Sequence, residues 1–167
     1  MAITLERLLQ ARDDRRALQL RLIRDNAGKT LVVLTVNIPG AEKRTPESLT
    51  VGEEGVRVLK ETFNTESAIT RDLPTGFEAF LLTDLSGQEA KRLAVGIETA
   101  HPLGRLMDID VFDSEGSPIS RVGIGEDSRK CLICGRDARI CMRTFAHPLP
   151  ELHNKIRSIV NGFLQQR

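Results

Sequence analysis

The amino-acid sequence predicts an α/β or α+β fold, in which a mixed sheet of about four to five strands is packed by helices from both ends of the chain. Apolar residues recur at helical spacing near both ends, and β-branched or apolar runs of strand length lie between them. At 167 residues the chain is most simply one domain over 1–167, long enough to bury about 70% of the surface that its unfolded chain exposes.

The first half of the chain alternates helices and strands. Thr4 opens a helix whose apolar residues keep helical spacing to about Asp25, and the β-branched run 30–37 predicts a strand. The next predicted elements are a helix capped by Thr45 or Ser48 and ending near Phe63, a polar connection over 64–76, a strand over 77–83, and a helix that begins at Ser86 and is stopped by His101 and Pro102.

The second half is predicted to contain two strands, a cysteine-containing segment and a final helix. In chain order these are a strand over 105–112, a hairpin loop over 113–116, a returning strand over 118–124, the cysteine segment over 128–147, and a C-terminal region over 148–167 whose helix opens at Pro150 and Glu151.

The strand over 105–112 carries two carboxylates. Side chains two apart on a strand share a face, so Asp108 and Asp110 stand together, flanked by Leu106 and Phe112. The other face is lined by Arg105, Met107, Ile109 and Val111. A strand that is apolar on both faces is usually interior to a sheet, where neighbouring carboxylates repel each other and lose hydration. The sequence therefore predicts a Mg²⁺ site shared with phosphate oxygens, as in many nucleotidyl-transfer enzymes; the alternative is a solvated edge strand with two surface acids.

Basic residues at two places suggest binding of phosphate. In the first helix, Arg12 and Arg15 could form a clamp with Asp13 holding one guanidinium, or they could belong to a solvated helix face. The turn at Pro39 and Gly40 would aim Lys43 from the end of a strand, unless the segment is simply a solvated basic loop.

The cysteine segment has the spacing of a metal site. Cys131 and Cys134 form a knuckle in which Gly135 permits a tight turn, and Cys141 and His147 complete a possible Cys3His zinc set. Reduced, packed thiols and a redox pair are the alternatives. An anionic ligand nearby is favoured by five basic residues, which are Arg129, Lys130, Arg136, Arg139 and Arg143.

Composition argues against two classes of partner. The chain has 24 basic and 23 acidic residues, so no overall field draws it to nucleic acid or membrane. It has no Trp or Tyr and only six Phe, which is a poor supply of stacking platforms for single-stranded nucleic acid. We expect no long nucleic acid and no membrane as partners. The charged first thirty residues lack an apolar signal core and no window approaches a membrane span, so we expect a cytoplasmic protein, in which the three cysteines do not form a disulfide framework.

With these residues assembled, the chain resembles the apo-citrate lyase phosphoribosyl-dephospho-CoA transferases, also called holo-acyl-carrier-protein synthases of citrate lyase. The resemblance extends over nearly the whole length. It rests on Ala11-Arg-Asp-Asp-Arg15, the Pro39-Gly40 turn with Lys43, His101-Pro-Leu-Gly-Arg105 followed by Asp108-Ile-Asp110-Val111, Ser120-Arg121, Arg129-Lys-Cys-Leu-Ile-Cys134, Cys141, Arg143, His147 and Glu151-Leu152.

The resemblance implies a reaction and a nucleotidyltransferase-like core. A serine hydroxyl of the citrate lyase acyl carrier protein would attack the α-phosphate of 2′-(5″-triphosphoribosyl)-3′-dephospho-CoA, and pyrophosphate would leave. Mg²⁺ would be held by Asp108 and Asp110, with His101 either as the base or as a helix cap. The triphosphate would be bound by Arg12, Arg15, Lys43, Arg105 and Arg121.

The chain departs from the general nucleotidyltransferase signature, which has Gly-Ser ahead of the Asp pair where this sequence has Glu98 and His101. The third carboxylate is therefore open, with Glu98 and Asp113 as candidates. The competing interpretation of the whole chain is a zinc-stabilised, non-catalytic module that binds the carrier protein or citrate lyase.

Overall fold

The structure, a computed structural model, describes residues 3–166. The helices are α1 (Leu5–Asp25), α2 (Pro46–Thr62), α3 (Gly87–Ala100), α4 (Ala138–Arg143) and α5 (Leu149–Leu164). The strands are β1 (Thr30–Val36), β2 (Ile69–Leu73), β3 (Gly76–Thr83) and β4 (Met107–Phe112), and two 3-10 turns span Gly104–Leu106 and Val122–Ile124. No helix within 3–166 has the length and apolarity to cross a membrane.

The four strands form one open sheet in the order β2-β3-β1-β4, with every neighbouring pair antiparallel. The predicted α/β class is confirmed, although no parallel pair occurs among the strands described. β2 lies inside 64–76, where a polar connection was expected, so that prediction was wrong. Its residues form an outer strand that is mostly exposed, which is why its composition lacks the apolar run of a buried strand.

Helices cover both faces of the sheet. On one face, α1 packs Leu18 and Ile23 onto a small core with Leu31, Val33, Phe80 and Phe112. On the other face, α2, α3 and α5 enclose the larger core. Gly52 and Gly55 let α2 approach closely, because a Cβ atom would lie 2.3 Å from the Phe77 ring at Gly52 and 2.6 Å from Leu34 at Gly55.

β4 is an edge strand rather than an interior one. It begins at Met107, because the preceding residues Gly104–Leu106 form a 3-10 turn packed against the end of α3. A Cβ atom on Gly104 would come within 2.2 Å of the Ile97 carbonyl oxygen, so only glycine fits there. Arg105 therefore lies outside the strand, and Leu106 belongs to the larger core instead of flanking the aspartates.

The returning strand predicted over 118–124 does not form. A single bridge joins Phe112 to Pro118, and the Ile119 N–H donates to the Val111 carbonyl at 2.8 Å before the chain turns away. Further along the edge, α3 replaces the missing strand. The Ile109 N–H donates to Glu98 Oε1 at 2.7 Å, and Lys91 Nζ donates to the Ile109 carbonyl at 2.9 Å. Two buried charged side chains thus satisfy the open edge of β4.

Candidate functional site

The paired aspartates lie on the face of the sheet that α1 covers. Asp108 and Asp110 alternate along β4 with residues buried in the opposite core, so both project toward the α1 side. Because β4 is an edge strand, the two aspartates are accessible to solvent, as in the edge-strand alternative given by the sequence. Asp108 has 49% of its side chain exposed. Asp110 keeps access to solvent, but partial loss of hydration, and secondarily the charge of Asp108, raise the pKa of its carboxyl group.

A row of polar residues crosses the sheet from Asp108. Thr35 on β1 pairs with Asp108 on one side and with Glu78 of β3 on the other. Glu78 in turn pairs with Arg71 of β2. Adjacent strands are about 4.8 Å apart, so this row places a second acidic centre roughly 10 Å from the aspartates.

Glu78 is a buried carboxylate that organises the arginines around it. Only 4% of the residue is exposed, and its two oxygens accept from Arg15 Nη1 at 3.3 Å and from Arg71 Nη2 at 2.5 Å. Arg15 is therefore held by a carboxylate from the sheet, not by Asp13 of its own helix as expected. A carboxylate fixed between two guanidinium groups leaves the remaining N–H groups of both arginines aimed from defined positions.

Three of the five residues predicted to bind phosphate meet in one cleft. A cavity of about 200 Å³ between α1, the end of β1 and the start of β3 is lined by Arg12, Arg15 and Lys43 together with Thr35 and Glu78. The Lys43 ammonium donates to the Ile38 carbonyl at 2.6 Å, which anchors its loop. Burial, and then the charge of Arg12, lower the pKa of Lys43. Since Thr35 contributes to the cleft and pairs with Asp108, the aspartates lie at its border.

Arg105 and Arg121 do not join this cleft. The Arg105 guanidinium donates to the Lys130 carbonyl at 2.5 Å and faces a second, larger cavity. Arg121 pairs with the buried Glu98 on the far side of β4. Glu98 also pairs with Arg129 at 2.7 Å, and the same Arg129 nitrogen lies 3.6 Å from Asp108.

These contacts also bear on the two candidates for a third metal-binding carboxylate. Glu98 is occupied by two arginines and by a backbone N–H of β4. Asp113 closes the hairpin loop, because its Oδ1 accepts the N–H groups of Glu115 and Ser117. Both carboxylates therefore have structural partners. Glu98 nevertheless lies near the aspartates, because it shares the Arg129 nitrogen with Asp108 and its charge helps to raise the pKa of Asp110.

His101 lies in the helical layer on the other face of the sheet. Its Nδ1 accepts the Leu103 N–H at 3.1 Å, its Nε2 lies 3.2 Å from Glu54 Oε1, and its ring centroid is 5.8 Å from that of Phe163. The structure thus places His101 at the end of α3, with the contacts of a helix-terminal cap. It does not bring the imidazole to the aspartates, so the role of base is unsupported by position.

The predicted Cys3His set comes together. The ligand atoms of Cys131, Cys134, Cys141 and His147 all lie within 4.8 Å of one another. The Cys134 sulfur is 3.5 Å from that of Cys141 and 3.3 Å from His147 Nε2. Sulfurs bound to a tetrahedral zinc are about 3.8 Å apart, so this donor set and its spacing fit a zinc ion.

The local structure of the cysteine segment explains how its four donor atoms come together. Gly135 has φ +73°, a left-handed conformation that suits glycine, and the chain then returns so that the Cys131 N–H donates to the Arg136 carbonyl at 2.5 Å. A hydrogen bond from Arg136 lowers the pKa of Cys134 to about 5, whereas burial raises the pKa of Cys141 to about 11. Cys134 is thus predisposed to the thiolate form that metal ligation needs.

Sequence reasoning missed three residues around the site: Arg71, Glu78 and Arg129. Glu78 left a signal, since a charged residue interrupts the otherwise apolar strand 77–83. Arg71 lies in the strand that was interpreted as a connection, so it could not be linked to Glu78 without the sheet register. Arg129 was noted among the basic neighbours of the cysteines and in the segment that carries the resemblance, but its approach to Asp108 depends on how the cysteine segment packs against β4.

The fold and the site define a mixed α/β protein with a small basic cleft beside an acidic sheet edge and a Cys3His cluster. The family described as apo-citrate lyase phosphoribosyl-dephospho-CoA transferase matches residues 3–163, and the chain belongs to that family. The resemblance seen in the sequence is confirmed.

Individual relatives carry related names. The chain is 33% identical over 171 residues to a probable apo-citrate lyase phosphoribosyl-dephospho-CoA transferase of Streptococcus pyogenes, which covers 99% of this chain and 89% of that protein. It is 40% identical over 139 residues to a Vibrio cholerae protein of the same name, covering 80% of this chain and 78% of the relative. It is 36% identical over 165 residues to "Protein CitXG" of Haemophilus influenzae, covering 96% of this chain but 35% of that protein.

Proposed function

We propose that this protein transfers the prosthetic group of 2′-(5″-triphosphoribosyl)-3′-dephospho-CoA onto a serine of the citrate lyase acyl carrier protein and releases pyrophosphate. The names of its relatives support transfer of phosphoribosyl-dephospho-CoA to apo-citrate lyase. The observation that carries the finer proposal is the convergence of Arg12, Arg15 and Lys43 in a cleft bordered by Asp108. The positive charge of these three side chains would bind a polyphosphate, and the open border of the cleft would let an attacking hydroxyl reach the bound phosphates.

In this reaction, the serine oxygen forms a bond to the α-phosphorus, and the bond from that phosphorus to the bridging oxygen breaks. The electron pair leaves with pyrophosphate, and the serine proton is lost to solvent or to a base. Charge grows on the leaving group as the bond breaks, so guanidinium groups placed around it stabilise the transition state more than the ground state. Glu78 keeps Arg15 in place for this task.

Asp108 and Asp110 are the residues that would hold Mg²⁺. They fit the ion because they are adjacent carboxylates, accessible from solvent, at the border of the basic cleft. Loss of hydration, and then the charge of Asp108, raise the pKa of the Asp110 carboxyl group, and a bound cation would oppose both effects. Bound there, Mg²⁺ would supply charge neutralisation at the phosphates. The Arg129 guanidinium, which lies 3.6 Å from Asp108, compensates part of the charge of that carboxylate.

The Cys3His cluster would hold a structural zinc. All of its donors come from one segment that has little regular structure beyond the short helix α4. A bound zinc would give this segment the stability that its small core cannot supply. The same segment carries Arg129, so zinc binding would support the surroundings of Asp108 indirectly.

The test is pyrophosphate release by the purified protein supplied with apo carrier and precursor. We expect release to require both substrates and to stop when EDTA removes the divalent metal, and mass spectrometry should show the added prosthetic group on the carrier serine. The rival hypothesis of a non-catalytic module makes the opposite prediction. Carrier binding without pyrophosphate release, under conditions where Mg²⁺ is in excess, would establish that module and overturn the transferase.

A further inference from the structure

A second cavity of about 490 Å³ lies beside the basic cleft. Its walls are the turn at 37–40, the cysteine segment and the first turns of α5, and most of its lining is apolar. Representative lining residues are Ile38, Leu106, Leu132, Met142, Leu149 and Leu152. The volume falls within the roughly 300–1,000 Å³ that small-molecule sites occupy, whereas the basic cleft is smaller than this range.

The two cavities adjoin at the end of β1. Asn37, Ile38 and Lys43 line both of them, so a molecule that extends past Lys43 from the cleft would reach the apolar cavity. Such a molecule must carry strong negative charge at one end and a long portion with extensive apolar surface at the other.

We infer that the apolar cavity binds the dephospho-CoA portion of the precursor while the basic cleft binds its triphosphate. This inference rests on the proposed function, because it assigns the second part of the same substrate. Dephospho-CoA combines an adenine ring, a diphosphate and a flexible pantetheine arm. An apolar cavity with a few charged groups at its border suits that combination.

The border of the cavity supplies the positive charge that the diphosphate needs. Arg105 lines the cavity, and within residues 3–166 no carboxylate pairs with it; one of its N–H groups donates to the Lys130 carbonyl. Lys130 is exposed on the same border. Arg129 is committed to Glu98 and Asp108, so it is less available. Arg105, which the resemblance assigned to the triphosphate, is therefore better placed to meet the diphosphate.

An exposed aromatic ring stands at the mouth of the cavity. Phe145 is 90% exposed, although it lines the cavity, and its backbone φ of +47° is unusual for a residue with a side chain. The free face of such a ring can stack on a base. This favours a nucleotide over a protein segment as the occupant, because the reaction requires only a serine of the carrier to approach the phosphates.

Calorimetry with dephospho-CoA tests the site without the transfer reaction. Met142→Glu introduces a carboxylate at a cavity residue that is 67% exposed, and Ile140→Glu is its matched control. Ile140 is 53% exposed, flanks Cys141 on the other side in α4, and does not line the cavity. Leu149→Glu is a second cavity variant, away from the cysteines, where an acidic residue in the first turn of α5 suits the helix. Unchanged melting temperatures establish that the variants fold.

We expect dephospho-CoA to bind the wild type and Ile140→Glu alike, and to bind Met142→Glu and Leu149→Glu about tenfold or more weakly. Affinity for inorganic triphosphate should be unaffected by the cavity variants. The inference is overturned if dephospho-CoA does not bind the wild type, or if it binds all folded variants equally. It is also overturned if the cavity variants lose binding of the carrier protein while their affinity for dephospho-CoA is unchanged. Pyrophosphate release by the same wild-type preparation separates failure of this inference from failure of the proposed function. If pyrophosphate is released but the cavity variants bind dephospho-CoA as the wild type does, only the cavity assignment is refuted. If the cavity variants bind dephospho-CoA more weakly but the wild type releases no pyrophosphate, only the transferase is refuted.

Discussion

Replacing Arg15 by alanine isolates one contact between the protein and the leaving phosphates. Arg15 is 28% exposed, lines the basic cleft and is fixed by Glu78 at 3.3 Å. Loss of one charge-assisted contact that strengthens in the transition state should lower kcat roughly a hundredfold, which corresponds to about 2.7 kcal/mol. Glu78 keeps Arg71 as a partner, so the free energy of unfolding should fall by only about 1 kcal/mol.

The assay is steady-state pyrophosphate release with precursor varied at saturating carrier. Arg16→Ala is the matched control, since Arg16 is the next residue of α1 but is exposed and lies 5.9 Å from the Phe112 ring, outside the lining of the cleft. We expect this control to retain kcat, and Arg12→Ala to behave like Arg15→Ala. An Arg15→Ala protein with the kcat of the control would show that these arginines are a solvated helix face.

Four further predictions concern the loop, the aspartates and the metal cluster. Lys43→Ala should mainly raise the KM for precursor, because Lys43 sits on a loop shared by both cavities; a large fall in kcat at unchanged KM would contradict this. Asp108→Asn and Asp110→Asn should each lose most transfer while staying folded, and near-normal transfer by both would refute the Mg²⁺ assignment. Asp110→Asn should also raise the melting temperature more at pH 7 than at pH 4. Because the carboxyl pKa of Asp110 is raised in the folded state, the wild type loses stability as pH rises through that pKa, whereas the variant, which carries a neutral amide, keeps its stability. Elemental analysis should find about one zinc per chain, and a chelator should lower the melting temperature; metal-free protein with unchanged melting would identify the cysteines as packed thiols.

Helix boundaries could be predicted well because they depend on local chemistry. Thr4 caps α1, Ser86 caps α3, and Thr45 and Ser48 both act at the start of α2 in a reciprocal capping box. Each signal is contained within a few residues, so it can be recognised without knowledge of the rest of the fold.

Strand positions at the edges could not be predicted in the same way. β2 looks polar because it is an outer strand. β4 looks interior because Met107, Ile109 and Val111 are buried in the larger core, although its open edge meets α3 where a neighbouring strand was expected. Pro118 to Ile124 has the composition of a strand, yet it meets an edge that side chains already occupy. Which partner fills the hydrogen bonds of an edge is decided by long-range packing, which composition does not reveal.

In the candidate site, too, features set by local sequence could be predicted and long-range contacts could not. The Cys3His set follows from spacing within one short segment, and the structure brings it together. Arg12 and Arg15 lie far from Lys43 in sequence and were grouped only by the family resemblance, and the structure places all three in one cleft. The partner of Arg15, by contrast, comes from 63 residues away in sequence. Glu78 could be recognised only through the register that places it beside Thr35.

The closure of β4 by Lys91 and Glu98 has a consequence for how the protein avoids self-association. An unpaired strand edge is a template on which another chain can add, and on this strand apolar residues alternate with Asp108 and Asp110. In the folded protein the side chains of α3 occupy the Ile109 N–H and carbonyl, so an incoming strand finds no partner there. That protection exists only after α3 has docked. Removing Glu98 would leave the Ile109 N–H open, and during refolding such a chain would be exposed to intermolecular strand pairing at the position that bears Asp108 and Asp110.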